Sequence, residues 1–297
     1  MLAIGLALAA SLGFGSSAVF ARAGMQGIKP LPSTLISLAV SSVPTVILAL
    51  VFASSDIKSL PPVALLWFVG QGAVQFLGGR TVNFQAIGRI GASRSGAILG
   101  TSAVFASIFA IAITGERPSF LIVLGTAGVV VGLVVITGES FRRGWSGDRR
   151  FLVGYLQAVF AAASYGGATV MAKELTQAYG SPLMVSGFSL VFGMLLLSPL
   201  AGRQAVRELQ ASSPNPGFAV HAGLSGLSSA AAVILLFYAV QEGDVVVVAP
   251  VVSSNPLITL VLAHLFIARL EKITRQLVAG TVLTVLGILI VVAGSTS

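Results

Sequence analysis

Apolar stretches of about twenty residues alternate with short polar links along the whole chain. In the first half they cover residues 2–21, 33–53, 63–87, 92–114 and 119–137. In the second half they cover 151–172, 182–201, 217–240, 245–268 and 274–293. Roughly 20 apolar residues cross a ~30 Å hydrocarbon core as an α-helix, so the pattern predicts ten transmembrane helices, five per half. The first span has no basic segment before it and reads as a first transmembrane helix, not a signal peptide. The most polar link, 141–150, carries Arg142, Arg143, Arg149 and Arg150 at the midpoint. It divides the chain into a first repeat at 1–140, a basic linker at 141–150 and a second repeat at 151–297.

The two halves repeat one another. Phe84-Gln85-Ala86 returns as Phe237-Tyr238-Ala239, an offset of 153. Glu116, Gly125 and Gly132 return as Glu271, Gly280 and Gly287, an offset of 155, so the second copy holds two extra residues. Near the start, Phe14-Gly15 matches Tyr165-Gly166 and Arg22 matches Lys173, an offset of 151. With an odd number of spans per repeat, the second copy must enter the membrane from the opposite side. The halves are then inverted about a pseudo-two-fold axis in the membrane plane, an architecture of secondary transporters.

Composition fixes the class. The chain is 56% hydrophobic and 9% charged, with a mean hydropathy of +0.98. A soluble domain carries about 25% charged residues, so these charges are too few to cover a soluble surface. Thirty-four glycines suit closely packed membrane helices. No cysteine is present, which excludes disulfides and thiolate metal sites. The net charge of +8 reads as basic loops holding one side of a membrane protein and not as a nucleic-acid surface. Fourteen of the 17 basic residues lie in or near the links after the odd-numbered helices; Lys58, Arg117 and Lys173 are the exceptions. The positive-inside rule therefore places both termini outside the cytoplasm. A multi-pass protein of the plasma (inner) membrane is expected.

Several short motifs recur in a fixed order. They are Gly13-Phe14-Gly15-Ser16-Ser17 in the first helix, Ala92-Ser93-Arg94 opening the fourth, Gly115-Glu116-Arg117 closing it, and Gly125 and Gly132 on the fifth. Pro256, Glu271, Gly280 and Gly287 stand in the second copy. On these residues the chain resembles the EamA family of the drug/metabolite transporter superfamily over nearly its whole length. The resemblance implies export or uptake of small metabolites such as amino acids, sugars or drugs. It also implies a cavity walled by helices 1, 3, 4, 6, 8 and 9, with helices 5 and 10 as supports. Many relatives are assigned cytoplasmic termini, against the charge distribution here. Two departures concern helix shape: Ala103 stands where the family often has a proline matching Pro256, and Leu270 replaces the glycine before Glu271.

Polar side chains inside apolar spans point to the site, because the bilayer core penalises them. The third helix is the richest. Gln71 and Gln75, four apart, share a face; Arg80 and Asn83 follow, three apart. An arginine at a helix centre costs about 2.5–3.5 kcal/mol on insertion scales. Arg80 either snorkels to the interface or faces the cavity and binds a carboxylate or phosphate through paired N–H donors. In the second half the candidates are Tyr165, Ser225, Ser229, Tyr238 and Asn255, the last just before Pro256. Tyr165 either presents its hydroxyl to the cavity or packs. Pro256 either breaks the helix to line a cavity or only bends it.

Glu116 and Glu271 end helices beside Arg117 and Lys272 and read as caps or interfacial ion pairs. Every carboxylate falls at a helix end or in a loop, so no membrane-centred proton relay is visible. His264 is a lone helix histidine and reads as a packing residue, with proton coupling as the alternative. Two separated histidines and no cysteine leave no metal or cofactor constellation, and no GxxxxGK[ST] loop supports ATP-driven pumping. The expected partners are a small solute and the lipid bilayer. Gly128 and Gly132 form a small-xxx-small face that can serve a homodimer or internal packing. The leading function is a transporter; a membrane-embedded enzyme and a non-transporting scaffold remain the alternatives.

Overall fold

A computed structural model describes residues 1–144, 149–211, 216–266 and 275–294. It is all-helical among the described residues, as the apolar periodicity predicts. The first half holds α1 (Leu2–Gly24), α2 (Pro30–Phe52), the short α3 (Ser54–Lys58), and a long rod made of α4 (Val63–Gly72), a π-helical segment (Ala73–Thr81) and α5 (Val82–Ile90). It continues with α6 (Ala92–Leu99), α7 (Ser102–Phe109), a second π segment (Ala110–Thr114) and α8 (Phe120–Gly144). The second half holds α9 (Arg149–Tyr179), α10 (Pro182–Ala211), α11 (Gly217–Glu242), α12 (Val245–Val252), α13 (Asn255–Phe266) and α14 (Arg275–Gly294). Helical backbone thus enters the 141–150 link from both sides.

Among the described residues, six helical stretches are long and apolar enough to cross a membrane: Leu2–Gly24, Pro30–Phe52, Phe151–Tyr179, Pro182–Gln210, Gly217–Glu242 and Val245–Leu265. Shorter apolar helices cover Ser102–Thr114, Phe120–Gly132 and Val282–Gly294. Bulky apolar side chains face outward, among them Ile47, Leu50, Phe120 and Leu289. In water that surface would be a liability; against acyl chains it is matched.

Local chemistry explains the boundaries. Pro30 opens α2, where its missing N–H costs nothing and its fixed φ suits a first turn. Gly115 ends the second π segment at φ +71°, a left-handed conformation that a Cβ would strain. The third span is not the uniform α-helix that the sequence predicts. Its π segment is marked by the Thr81 hydroxyl, which donates to the carbonyl of Phe76 five residues back. The wider turns rotate the following side chains away from an α-helical register.

The contacts between elements respect an exchange of the two halves. α1 packs on α11, and the α4–α5 rod packs on α9. α2 packs on α11, and α4 with the π segment packs on α10. α1 also packs on α12 and α13, and α9 on α6 and α7. Three contacts map onto themselves: α2 with α10, α8 with α14, and the α6–α7 span with the α12–α13 span. The α8–α14 seam consumes the glycine face. A Cβ on Gly125 would lie 2.6 Å from the Gly287 carbonyl oxygen, and one on Gly128 would lie 3.2 Å from Gly287 Cα. This is internal packing of the small-xxx-small kind.

Candidate functional site

The fourth and ninth spans are each broken near their middle. In the first half the break falls at Gly100–Thr101, between α6 and α7; in the second it falls at Ser253–Ser254, between α12 and α13. The two sites differ by 153 residues, the same offset as the sequence repeat. Both breaks carry tight i→i+3 turns. Thr101 N–H donates to the Ile98 carbonyl at 2.9 Å, and Ser254 N–H to that of Val251 at 3.1 Å. In each, the hydroxyl of the same residue donates to the same carbonyl, at 2.6 and 2.7 Å. The absent proline at Ala103 therefore does not change the helix shape: glycine and threonine make the break that its partner makes beside Pro256. Pro256 itself sits in the first turn of α13, where no N–H is needed. The break reading of that proline holds over the bend reading.

An internal cavity lies between the breaks. It offers about 90 Å³ to water-sized molecules, and a water needs roughly 10–15 Å³ on that measure. Its walls come from α1, the Val63–Ile90 rod, α6–α7, α9, α11 and α12–α13, the six spans that the resemblance implied. The lining runs from the level of the breaks toward Ile87 and Ala92 at the Gly91 turn.

Six of the nine candidate residues line it: Gln75, Arg80, Asn83, Tyr165, Ser229 and Asn255. The other three lie elsewhere. Gln71 is buried behind the wall, donating to Gln75 Oε1 at 2.8 Å and to the Ala168 carbonyl at 3.0 Å. Ser225 sits between α1 and α2, 3.0 Å from the Ser17 hydroxyl. Tyr238 packs against the apolar core.

Arg80 does not snorkel. It is 3% exposed and lies ten residues before the end of α5 at Ile90. Its guanidinium donates to Ser37 Oγ and, at 3.4 Å, to Ser41 Oγ on α2. The Phe84 ring lies 5.7 Å from its carbon centre. Ser41 turns its own proton to the carbonyls of Ser37 and Gly226, at 2.8 and 2.7 Å, which leaves its lone pairs for Arg80. Asn83 accepts from Ser95 at 2.8 Å. Tyr165 lies beside Arg80 and Asn83, its ring against Gly79, where a Cβ would come within 3.0 Å.

The opening motif of α1 now has a physical meaning. Gly13 lets α1 close on Ala232 of α11, Gly15 lets it close on Ile258 of α13, and Phe14 and Ser17 face the cavity. On α9, Gly166 closes on Phe105 and Ala106 in the same way, beside Tyr165.

Between them the segments 1–138 and 152–293 match the sequence profile of the EamA-like transporter family. The chain belongs to the EamA-like transporter family. No curated protein sequence matches it significantly. Its fold recurs in a crystal structure of another protein, with a TM-score of 0.75 over 99% of this chain and 96% of the other, at 17% identity. A likeness that distant speaks of fold alone. As a member of the EamA-like family the chain is a multi-pass membrane protein of transporter type.

Sequence reasoning did not single out Ser102 or Thr259 in the lining of this cavity. Ser102 and Ser253 meet across the two breaks, 3.4 Å apart, and Thr259 also lines the cavity. Ser37 and Ser41, which hold Arg80, were legible in outline. Ser33, Ser37, Ser41 and Thr45 recur every four residues on α2 and so form one stripe.

Glu116 is both the cap and the ion pair that its position at a helix end predicts, but its base is not the neighbouring Arg117. Glu116 is buried, with a side chain 7% exposed, and its partner is Lys173 Nζ at 2.8 Å. Lys173 also bonds Asp244 at 2.8 Å. The Glu116 carboxylate accepts the N–H groups of Val245 and Val246 and so caps α12 from the other half. Glu271, its repeat counterpart, lies outside the described residues.

Proposed function

We propose that the protein is a secondary transporter that moves a small organic metabolite, such as an amino acid, an organic acid or a drug-like solute, across the plasma membrane. It works by alternating access between two inverted repeats, 1–140 and 151–297, making ten crossings with both termini outside the cytoplasm. The observation that carries this reading is the pair of helix breaks at Gly100–Thr101 and Ser253–Ser254, facing one cavity. Interrupted helices at the repeat interface expose backbone and hydroxyl groups to a solute at mid-membrane depth. The contacts that survive exchange of the halves support rocking of one repeat against the other. The Lys173–Glu116–Asp244 cluster supports a closed face at one end, opposite the Gly91 turn toward which the cavity runs. In the opposite state that cluster parts and its counterpart end closes.

The chain contains no cysteine, so a single introduced thiol is an unambiguous reporter. In Ser102→Cys, membrane-impermeant thiol reagents applied from either side of a sealed vesicle are expected to label the cavity. A solute that binds should shift the ratio of the two labelling rates. Labelling from one side only, whatever solute is present, would sink the alternating-access reading in favour of a scaffold.

A further inference from the structure

We infer that the solute carries an anionic head, a carboxylate, and that Arg80 is the residue that receives it. The inference rests on the transporter reading and names its substrate class. Among the described residues lining the cavity, Arg80 is the only charged side chain, and it is almost fully buried. A guanidinium holds its charge in any protein setting, so it cannot neutralise to escape the burial cost. Buried charges are ordinarily paired. Here every described partner is neutral: two serine hydroxyls and the face of Phe84. The described carboxylates are engaged or placed elsewhere. Glu116 and Asp244 hold Lys173, Asp56 accepts the N–H of Ser181, and Glu208 faces Lys29.

Geometry adds to charge. A guanidinium has five N–H groups, and only two hydrogen bonds engage them here. Ser37 and Ser41 anchor it from α2, on the side away from the cavity, since neither lines it. That anchoring orients the planar fork before a ligand arrives, which is the arrangement that suits bidentate capture of a carboxylate. Asn83 and the Tyr165 hydroxyl stand beside the same spot and add neutral donors. The rest of the cavity lining is apolar or neutral polar, Phe14, Phe76, Phe84 and Ile87 among it, with no described acidic group to receive an ammonium. The site therefore selects a compact carboxylate with an apolar or hydroxylated body over a cation.

The test uses the full chain in lipid nanodiscs at constant ionic strength. Thermal stabilisation is compared for acetate, propionate, butyrate, lactate and pyruvate, for the uncharged amides of the same acids, and for chloride alone. Carboxylates are expected to stabilise the protein and their amides are not. Arg80→Gln should weaken the apparent affinity about ten- to a hundredfold, the range set by a charged hydrogen bond, and Arg80→Lys should restore only part of it. The amide comparison needs no variant, so a poorly folding Arg80→Gln does not blunt the test. Equal stabilisation by acids and amides, stabilisation by chloride to the same extent, or no stabilisation by any acid overturns the inference. Two-sided labelling of Ser102→Cys alongside such a result leaves transport standing and removes only the anionic class; one-sided labelling removes the transporter reading itself.

Discussion

The Lys173→Met variant probes the cluster that joins the two halves at one face. Lys173 and Glu116 have side chains 9% and 7% exposed, while Asp244 is 65% exposed. The Asp244 arm is therefore screened by solvent and contributes at most about 1 kcal/mol. The Glu116 arm is buried, and removing one partner of a buried pair costs about 3–5 kcal/mol because the other charge stays behind. Here Glu116 keeps two backbone donors, Val245 and Val246, which soften that penalty. Together these give an expected loss of about 2–4 kcal/mol. Methionine retains the length and apolar stem of lysine, so packing changes little. The assay is unfolding by denaturing detergent in mixed micelles, followed by helical circular dichroism, for wild type, Lys173→Met, Glu116→Gln and the double variant. The double variant should lose less than the sum of the singles by about 1.5–3 kcal/mol, because the remaining partner is no longer a bare charge. Losses that add within about 0.5 kcal/mol would refute the pairing as an energetic unit. The same variant should also label faster at Ser102→Cys from the face that bears the cluster.

Two further outcomes follow from packing and from placement. Gly125→Val puts side-chain atoms where a Cβ alone already meets the Gly287 carbonyl at 2.6 Å, so α8 and α14 must separate; a loss of at least about 1–3 kcal/mol is expected in the same titration. Gly5→Ala, whose Cβ meets nothing within 4 Å, serves as the control and should lie within about 0.5 kcal/mol of wild type. His264 is absent from the cavity lining, and no described carboxylate lines it either. His264→Ala should therefore leave the pH dependence of solute flux unchanged, and a folded variant that loses that dependence would reinstate proton coupling through this residue.

Much of the site was readable because the bilayer makes polar residues conspicuous. Gln75, Arg80 and Asn83 stood out on one apolar span, and Asn255 stood out beside a proline. The less conspicuous members were serines and threonines. These residues are common in membrane helices, where a hydroxyl can satisfy itself on the carbonyl four residues back, as Thr45 and Ser198 do. Nothing in such a residue's identity says whether it faces a cavity. Ser102 and Ser253 became site residues only because two distant breaks bring them face to face.

The sequence by itself determined the class and the plan: an apolar, charge-poor chain with a repeat offset near 153, and the motifs of the family to which it belongs. Those features depend on hydrophobicity and spacing, which are local properties of the chain. The tertiary structure alone decided which polar groups meet. The π segment at Ala73–Thr81 rotates Arg80 out of the register that 100° per residue would give. The serine stripe of α2 supplies its partners from more than thirty residues away. Glu116 leaves the arginine beside it in sequence and pairs with Lys173, 57 residues on, while capping a helix of the other half. Sequence neighbours at a helix end point in different directions, and a buried charge takes whichever opposite charge the packing brings within reach.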